Sequence, residues 1–135
     1  MMTSQSTTAK HRIFLSHSRQ DKWVCHQIRE KIEQAGGSVW VDVFDIDAGR
    51  NISEEIKAGL RKSDELLVLL SPASIQSDWV KREAGIADAL DLPITLVMMH
   101  AKLEDRPKPL QDRRAISINE LPDYFDAMGA TTESV

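Results

Sequence analysis

The feature that most constrains this fold is an unbroken apolar run, Leu66 to Leu70, near the middle of the chain. A strand with one solvent-facing side alternates apolar and polar residues, whereas a strand covered on both faces is apolar throughout. The run is far too short for a membrane-spanning helix, which needs about 20 apolar residues. It therefore predicts the central strand of a parallel sheet, over 64–70.

Strand-like runs and amphipathic helical patterns alternate along the rest of the chain. We expect further strands at 13–15, 39–41, 94–98 and 115–118. The helical patterns cover 20–34, a segment starting at Asn51, about 79–90, and a last segment starting at Leu121. Alternation of this kind indicates βαβ units. The predicted fold class is α/β: a flavodoxin-like, doubly wound, five-stranded parallel sheet of order 2-1-3-4-5, flanked by helices.

The length of 135 residues suits one domain with one sheet. The first part of the chain is rich in Ser and Thr and shows no periodicity, so we expect residues 1–11 to be a disordered lead-in. The domain itself should occupy 12–129, and residues 130–135 should form a frayed tail. The segment 102–114 is charged and contains Pro107 and Pro109, which predicts a loop or a short irregular helix.

Composition excludes several classes of partner. The net charge is −4, whereas a nucleic-acid binder normally shows a basic face, so we expect no nucleic-acid partner. The sequence has no apolar run of membrane-spanning length, which predicts no membrane partner. The single cysteine, Cys25, fits a reducing compartment and a cytoplasmic location, and its place within a helical pattern suggests a small core residue.

Strand order predicts where a ligand would bind. In doubly wound folds, ligands lie beyond the carboxyl ends of the strands, where the strand order reverses. Here that point lies between the first and third strands. On the helix after the third strand, Trp79 and Glu83 are four residues apart and share one face. An aromatic ring beside a carboxylate suits a flat, cationic ligand, although an ordinary surface helix would show the same pair.

Several familiar chemistries lack their residues. The sequence has neither a P-loop nor a GxGxxG turn after the first strand. Its four histidines lack metal-ligand spacing, so we expect no metal site. Ser16 and His17 are adjacent on a strand and should point to opposite faces, which argues against a catalytic pair. A phospho-receiver domain needs clustered carboxylates after the first strand, and this chain has Ser-His-Ser-Arg there.

Three segments of the chain match a known family in order and spacing. The first is RIFLSHS over 12–18, followed by Asp21. The second is VWVD over 39–42, leading into a loop with Gly49. The third is LSP over 70–72, with SDW over 77–79 and Glu83 after it. Together they resemble the Toll/interleukin-1 receptor (TIR) domain family, in particular its NAD-cleaving bacterial type, over about residues 11–129, and the loop with Gly49 resembles the family's BB loop.

The resemblance implies a specific activity. It suggests an NAD⁺ glycohydrolase or cyclase that releases nicotinamide and ADP-ribose, or a cyclic isomer, in immune or defence signalling. NAD⁺ would be the substrate, and no cofactor is expected. Glu83 would be the catalytic carboxylate. The BB loop, Asp42 to Arg50, would support self-association, and other TIR or effector domains are candidate partners. The expected substrate-binding residues are Trp79, Ser16, His17, Phe14, Arg19, Asp45, Arg50, Ser71 and Ser74.

Elementary chemistry makes a single carboxylate plausible for this reaction. The nicotinamide of NAD⁺ already carries a positive charge and leaves as a neutral molecule, so no general acid is required. The need is to stabilise an oxocarbenium-like ribose, which one carboxylate can do. The BB loop departs from the family pattern, because it carries Asp45 and Asp47 and has Ala48 before its glycine.

The residues leave other interpretations open. A TIR domain can act as a non-catalytic interaction module that signals by assembly, and a relative on the same fold could process other nucleosides or nucleotides. Trp79 could line the pocket or only anchor its helix. Ser71 and Ser74 could contact substrate, or could satisfy backbone groups in a turn that contains Pro72.

Overall fold

A five-stranded parallel sheet forms the centre of the molecule, in the order β2-β1-β3-β4-β5. The computed structural model describes residues 11–41 and 52–133. Every neighbouring pair of strands is parallel, and β1 lies between β2 and β3. The fold class and strand order predicted from the sequence are confirmed. The strands are β1 Arg12–Ser16, β2 Ser38–Val41, β3 Glu65–Leu70, β4 Ile94–Met98 and β5 Arg114–Ser117.

Helices connect the strands. The α-helices are α1 Lys22–Gln34, α2 Ile52–Arg61, α3 Pro72–Ile75, α4 Asp78–Ala89 and α5 Leu121–Glu133. Short 3₁₀ helices occupy Arg19–Asp21, Leu103–Asp105, Lys108–Leu110 and Ile118–Glu120. Among the helices of the described ranges, none is both long enough and apolar enough to cross a membrane.

The two faces of β3 support two separate apolar cores. Leu66, Val68 and Leu70 point into a core shared with α2 and α4. Leu67 and Leu69 point the other way, into a core shared with α1 and α5. All six residues of β3 are buried: Glu65 at its start and the five residues of the apolar run from Leu66 to Leu70, which is covered on both faces as predicted. Cys25 is buried in the second core, as expected.

Some boundaries differ from the sequence prediction. The one-turn helix α3 was not predicted, although Ser71 before Pro72 is a typical helix start. The last helix continues to Glu133, past Ala130, where we expected the chain to fray. His11, which we assigned to a disordered lead-in, is ordered, since its Nε2 lies 2.8 Å from Oε1 of Glu65. The rest of that lead-in, 1–10, lies outside the described residues.

Candidate active site

A buried hydrogen bond joins β1 to α4, the second helix after β3. Oγ of Ser16, the last residue of β1, donates to Oε1 of Glu83 on α4 over 2.5 Å. Both side chains have no exposed surface. Because the carboxyl ends of β1 and β3 are adjacent in the sheet, residues 67 positions apart in sequence meet here. The structure thus places the predicted catalytic carboxylate beside the carboxyl end of β1, at the point where the strand order reverses.

The helix that carries Glu83 begins with a side-chain cap. Oγ of Ser77 accepts a hydrogen bond from the backbone N–H of Val80 at 3.3 Å, and Asp78 lies in the first turn. A serine at this position satisfies one of the free N–H groups of the first turn. Val80, Ala84 and Ala87 form the buried side of the helix, and Glu83 is buried with them. The packing of these apolar residues fixes the rotation of α4, and this rotation directs Glu83 inward.

Trp79 is half-buried and packs against the apolar core between α2 and α4. It lies four residues before Glu83 on the same helix, as the sequence indicated. Part of the indole therefore anchors α4, while part remains accessible. This geometry is compatible with both interpretations of Trp79, as an anchor and as a pocket wall.

Ser71 and Ser74 form a reciprocal cap at the start of α3. The backbone N–H of Ser74 donates to Oγ of Ser71 at 3.1 Å, and the backbone N–H of Ser71 donates to Oγ of Ser74 at 2.7 Å. Both residues are buried. The hydroxyl of Ser71 also donates to Oδ2 of Asp21 at 2.5 Å. The two serine oxygens thus satisfy backbone N–H groups, as the second interpretation proposed, and the hydroxyl hydrogen of Ser71 is engaged separately with a carboxylate.

His17 is buried directly after β1, and its burial favours the neutral imidazole. Burial lowers the pKa of His17 below its ordinary value, although the backbone of Leu15 and the carboxylate of Asp21 act in the opposite direction. His26 and Lys22 add to the lowering. A neutral histidine here can donate one hydrogen bond and accept another, but it adds no positive charge at the carboxyl end of β1.

The remaining predicted site residues fall in three different settings. Phe14 has no exposed surface, and its ring stacks on Trp40 with ring centroids 4.7 Å apart, so it belongs to the core. Arg19 is exposed in the 3₁₀ helix that follows β1. Asp45 and Arg50, with the rest of the BB loop, lie outside the described residues.

Sequence reasoning missed one residue at this edge. Asp21 was noted only as part of a family segment, yet its carboxylate contacts Ser71, which is 50 residues away in sequence. No local pattern connects two such positions. The only available signal was topological, since the segments after β1 and β3 had to meet at one edge.

These features define a doubly wound domain with a buried carboxylate where its strand order reverses. Over residues 13–131 the chain matches the model of the TIR domain family, and it belongs to that family. The resemblance seen in the sequence is thereby confirmed.

Named relatives and solved structures agree with this assignment. The chain is 32% identical over 72 residues to the NAD(+) hydrolase TcpA of Theionarchaea archaeon (strain DG-70-1), covering 53% of this chain and 22% of that protein. It is 27% identical over 77 residues to the 2' cyclic ADP-D-ribose synthase BtTIR of Bacteroides thetaiotaomicron, covering 56% and 27%. The TIR domain of the Toll-related receptor TRR-2 from Hydra magnipapillata superposes with a TM-score of 0.71 at 18% identity, covering 90% of this chain and 97% of that one. The matched stretches are thus about a quarter of the two named enzymes.

Proposed function

We propose that this domain cleaves the bond between ribose and nicotinamide in NAD⁺, with Glu83 as the catalytic carboxylate. The observation that carries the proposal is the buried Ser16–Glu83 hydrogen bond at the carboxyl ends of β1 and β3. The names of TcpA and BtTIR, which describe NAD⁺ hydrolysis and cyclic ADP-ribose synthesis, support it.

The proposed step begins at the ribose C1′–nitrogen bond. The bonding electron pair leaves with the nicotinamide nitrogen and neutralises the pyridinium charge, while positive charge develops on the ribose. The Glu83 carboxylate stabilises this charge, and the Ser16 hydroxyl holds the carboxylate in place. Attack of water on C1′ then gives ADP-ribose and releases a proton. Attack by a hydroxyl of the same molecule gives a cyclic isomer instead.

Burial of Glu83 adds a condition to this mechanism. The side chain has no exposed surface, so the groups that cover it must move before NAD⁺ can reach it. We propose that self-association through the segment from Asp42 to Arg50 supplies this movement, in a cytoplasmic defence or signalling setting. Turnover per molecule should then rise with protein concentration, and a rate independent of concentration would contradict the assembly step.

Nicotinamide release tests the catalytic proposal. We expect concentrated protein to release nicotinamide from NAD⁺, and Glu83→Gln to abolish release, because the amide keeps an acceptor for Ser16 but loses the charge. Glu65→Gln is a matched control: Glu65 is also a buried glutamate that accepts a hydroxyl hydrogen bond, from Thr95 at 2.6 Å, and it lies at the opposite end of β3. Full activity in Glu83→Gln would contradict the mechanism. Chromatography and mass spectrometry of the products separate ADP-ribose from a cyclic isomer.

The burial of Glu83 also favours a second candidate, a non-catalytic TIR module that signals by assembly alone. Such a module needs no access to this carboxylate. Complete absence of turnover in assembled protein, together with loss of self-association when the segment from Asp42 to Arg50 is altered, would support it.

A further inference from the structure

The segments that follow β1 and β3 are connected by two hydroxyl–carboxylate hydrogen bonds of opposite direction. In one, Ser16 at the end of β1 donates to Glu83, on the helix α4 that comes after β3 in the chain, at 2.5 Å. In the other, Ser71 on the β3 side donates to Asp21 after β1, also at 2.5 Å. Each segment therefore supplies one serine and one carboxylate. The first bond includes the proposed catalytic group, whereas the second has no role in the mechanism described above.

Asp21 occupies the N-cap position of α1, yet its side chain makes no capping hydrogen bond to that helix. Aspartate at an N-cap normally accepts a hydrogen bond from the first turn, which stabilises a helix by about 1 kcal/mol. Here the carboxylate is directed at Ser71 across the sheet edge instead. The Asp21 carboxylate thus makes no local capping bond and instead contacts a residue 50 positions away in sequence. Such a contact is expected of a side chain that holds the two segments in register.

From Ser71, consecutive hydrogen bonds lead to the helix that carries Glu83. Oγ of Ser71 accepts from the backbone N–H of Ser74 at 3.1 Å. The carbonyl of Ser74 accepts from the backbone N–H of Ser77 at 3.0 Å. Ser77 in turn caps α4 through the N–H of Val80 at 3.3 Å. These bonds connect Ser71 to Val80, which lies three residues before Glu83 on α4.

We propose that Asp21 is a positioning residue that fixes Ser71 and, through it, the placement of Glu83 against Ser16. The proposal rests on the proposed NAD⁺ cleavage for its effect on rate, whereas its structural part stands on the Asp21–Ser71 contact. Asp21 touches no reacting atom in this scheme. Its effect should therefore appear in kcat, through misplacement of Glu83, with little change in KM.

The experiment compares Asp21→Ala, Asp21→Asn, Ser71→Ala and the double variant Asp21→Ala/Ser71→Ala. We expect Asp21→Ala to lower kcat about tenfold or more with KM within about threefold, since small misplacements of a catalytic group cost this much or more. Asp21→Asn keeps an oxygen that can accept from Ser71 and should recover most of the rate. The double variant should be no slower than Ser71→Ala alone, because Ser71→Ala already removes the contact with Asp21, in addition to the cap on Ser74.

A matched control lies at the other end of the same strands, where β1 and β3 begin. The carboxylate of Asp64 accepts hydrogen bonds from the backbone and guanidinium of Arg12 at 2.8–3.2 Å, so Asp64→Ala also removes a carboxylate that connects two segments. We expect it to leave kcat unchanged. Unchanged kcat in Asp21→Ala, no recovery in Asp21→Asn, or losses that multiply in the double variant would overturn the proposal.

A second measurement separates this inference from the proposed function. Amide hydrogen exchange at Ser74 and Val80 reports the cap and the start of α4 without any substrate. If wild-type protein releases no nicotinamide, the proposed NAD⁺ cleavage is wrong, and hydrogen exchange alone tests the positioning role of Asp21. Faster exchange at both amides in Asp21→Ala then supports that role, and unchanged exchange overturns it. If wild type is active and Glu83→Gln is not, a fully active Asp21→Ala overturns the positioning role alone.

Discussion

Ser16 and Glu83 share a 2.5 Å hydrogen bond in a place where neither side chain has any exposed surface. A buried carboxylate is costly unless hydrogen bonds compensate its lost hydration. The serine hydroxyl is therefore part of what allows Glu83 to remain in the core. The same bond fixes the carboxylate in position at the edge where β1 and β3 end, so stability and the proposed chemistry depend on one contact.

Removing this hydroxyl should affect both properties. We expect Ser16→Ala to lower the free energy of unfolding by about 1–3 kcal/mol, because a buried carboxylate loses a donor. Nicotinamide release should fall about tenfold or more, because the carboxylate is no longer held. Urea unfolding and chromatography of nicotinamide measure the two effects.

Ser63→Ala is the matched control for Ser16→Ala. Ser63 is buried, and its hydroxyl donates to the carbonyl of Gly59 at 2.8 Å, so the same atoms are removed beside a neutral acceptor. The cost should be about 1 kcal/mol, and activity should not change at a temperature where the variant is folded. Equal effects of the two substitutions on activity would argue against a specific role for Ser16.

Two substitutions at Trp79 separate its anchoring and pocket roles. Trp79→Ala should lower the free energy of unfolding by about 2 kcal/mol, since only part of the ring packs against the core. Trp79→Phe keeps an aromatic ring and should remain near wild-type stability, but we expect its KM for NAD⁺ to rise severalfold because the stacking area is smaller. Trp23→Ala, which removes an indole that is 72% exposed on α1, should change neither property. An unchanged KM in Trp79→Phe would leave Trp79 as an anchor alone.

The sheet could be predicted from the sequence because its signals are local. The run from Leu66 to Leu70 requires burial on both faces, and the alternation of strands and helices then restricts the topology to few choices. The helix start at Ser71 was also visible in principle, since serine before Pro72 is a local capping signal. We missed α3 because a helix of one turn shows no apolar periodicity.

The polar contacts of the structure could not be predicted in the same way. The partner of Ser71 is 50 residues away, and the partners of Glu65 at His11 and Tyr124 are 54 and 59 residues away. Such pairs depend on exact register and side-chain direction, which apolar periodicity does not define. Within the site, sequence reasoning placed Glu83 at the correct edge but did not identify Ser16 as its hydrogen-bond donor.

Two glycines on neighbouring helices provide a test of packing. A Cβ added to Gly59 on α2 would lie 3.0 Å from Cδ2 and Cε2 of Trp40 and 3.1 Å from Cε2 of Phe14. Alanine favours a helix over glycine by about 1 kcal/mol, but the stacked rings cannot yield easily, and overpacking costs about 1–3 kcal/mol. We expect the net effect of Gly59→Ala to be a destabilisation of up to about 2 kcal/mol.

Gly85 on α4 is the matched control, because a Cβ there meets nothing within 4 Å. Gly85→Ala should stabilise the protein by up to about 1 kcal/mol through helix propensity alone. Thermal or urea unfolding measures both variants. Stabilisation by Gly59→Ala would show that Trp40 and Phe14 pack less tightly against α2 than the structure indicates.

A second buried carboxylate connects both ends of the described chain to the sheet. Oε1 of Glu65 lies 2.8 Å from Nε2 of His11 and accepts from the hydroxyl of Tyr124 at 2.7 Å, while Oε2 accepts from Thr95 at 2.6 Å. Burial alone raises the pKa of Glu65, but these three hydrogen bonds outweigh it, and the net pKa lies below the ordinary value. Burial and the nearby Glu65 charge raise the pKa of Tyr124.

This cluster makes stability depend on pH through His11. Its hydrogen bond to Glu65 raises the pKa of His11, burial opposes this, and among nearby charges Asp64 raises the pKa while Arg12 lowers it. A histidine whose pKa is raised by folding adds stability that is fully present below its unfolded pKa, about 6.5, and is lost as pH rises through the folded pKa. We expect His11→Gln to cost up to about 1 kcal/mol below pH 6, a modest value because the ring is partly exposed, and less toward pH 9. Urea unfolding of both proteins across this range measures the difference. In a Glu65→Gln background the extra cost at low pH should be lost, because burial is then the largest influence on the pKa of His11 and it opposes protonation. In the wild-type background, a cost that stays constant with pH would contradict the charged His11–Glu65 pair.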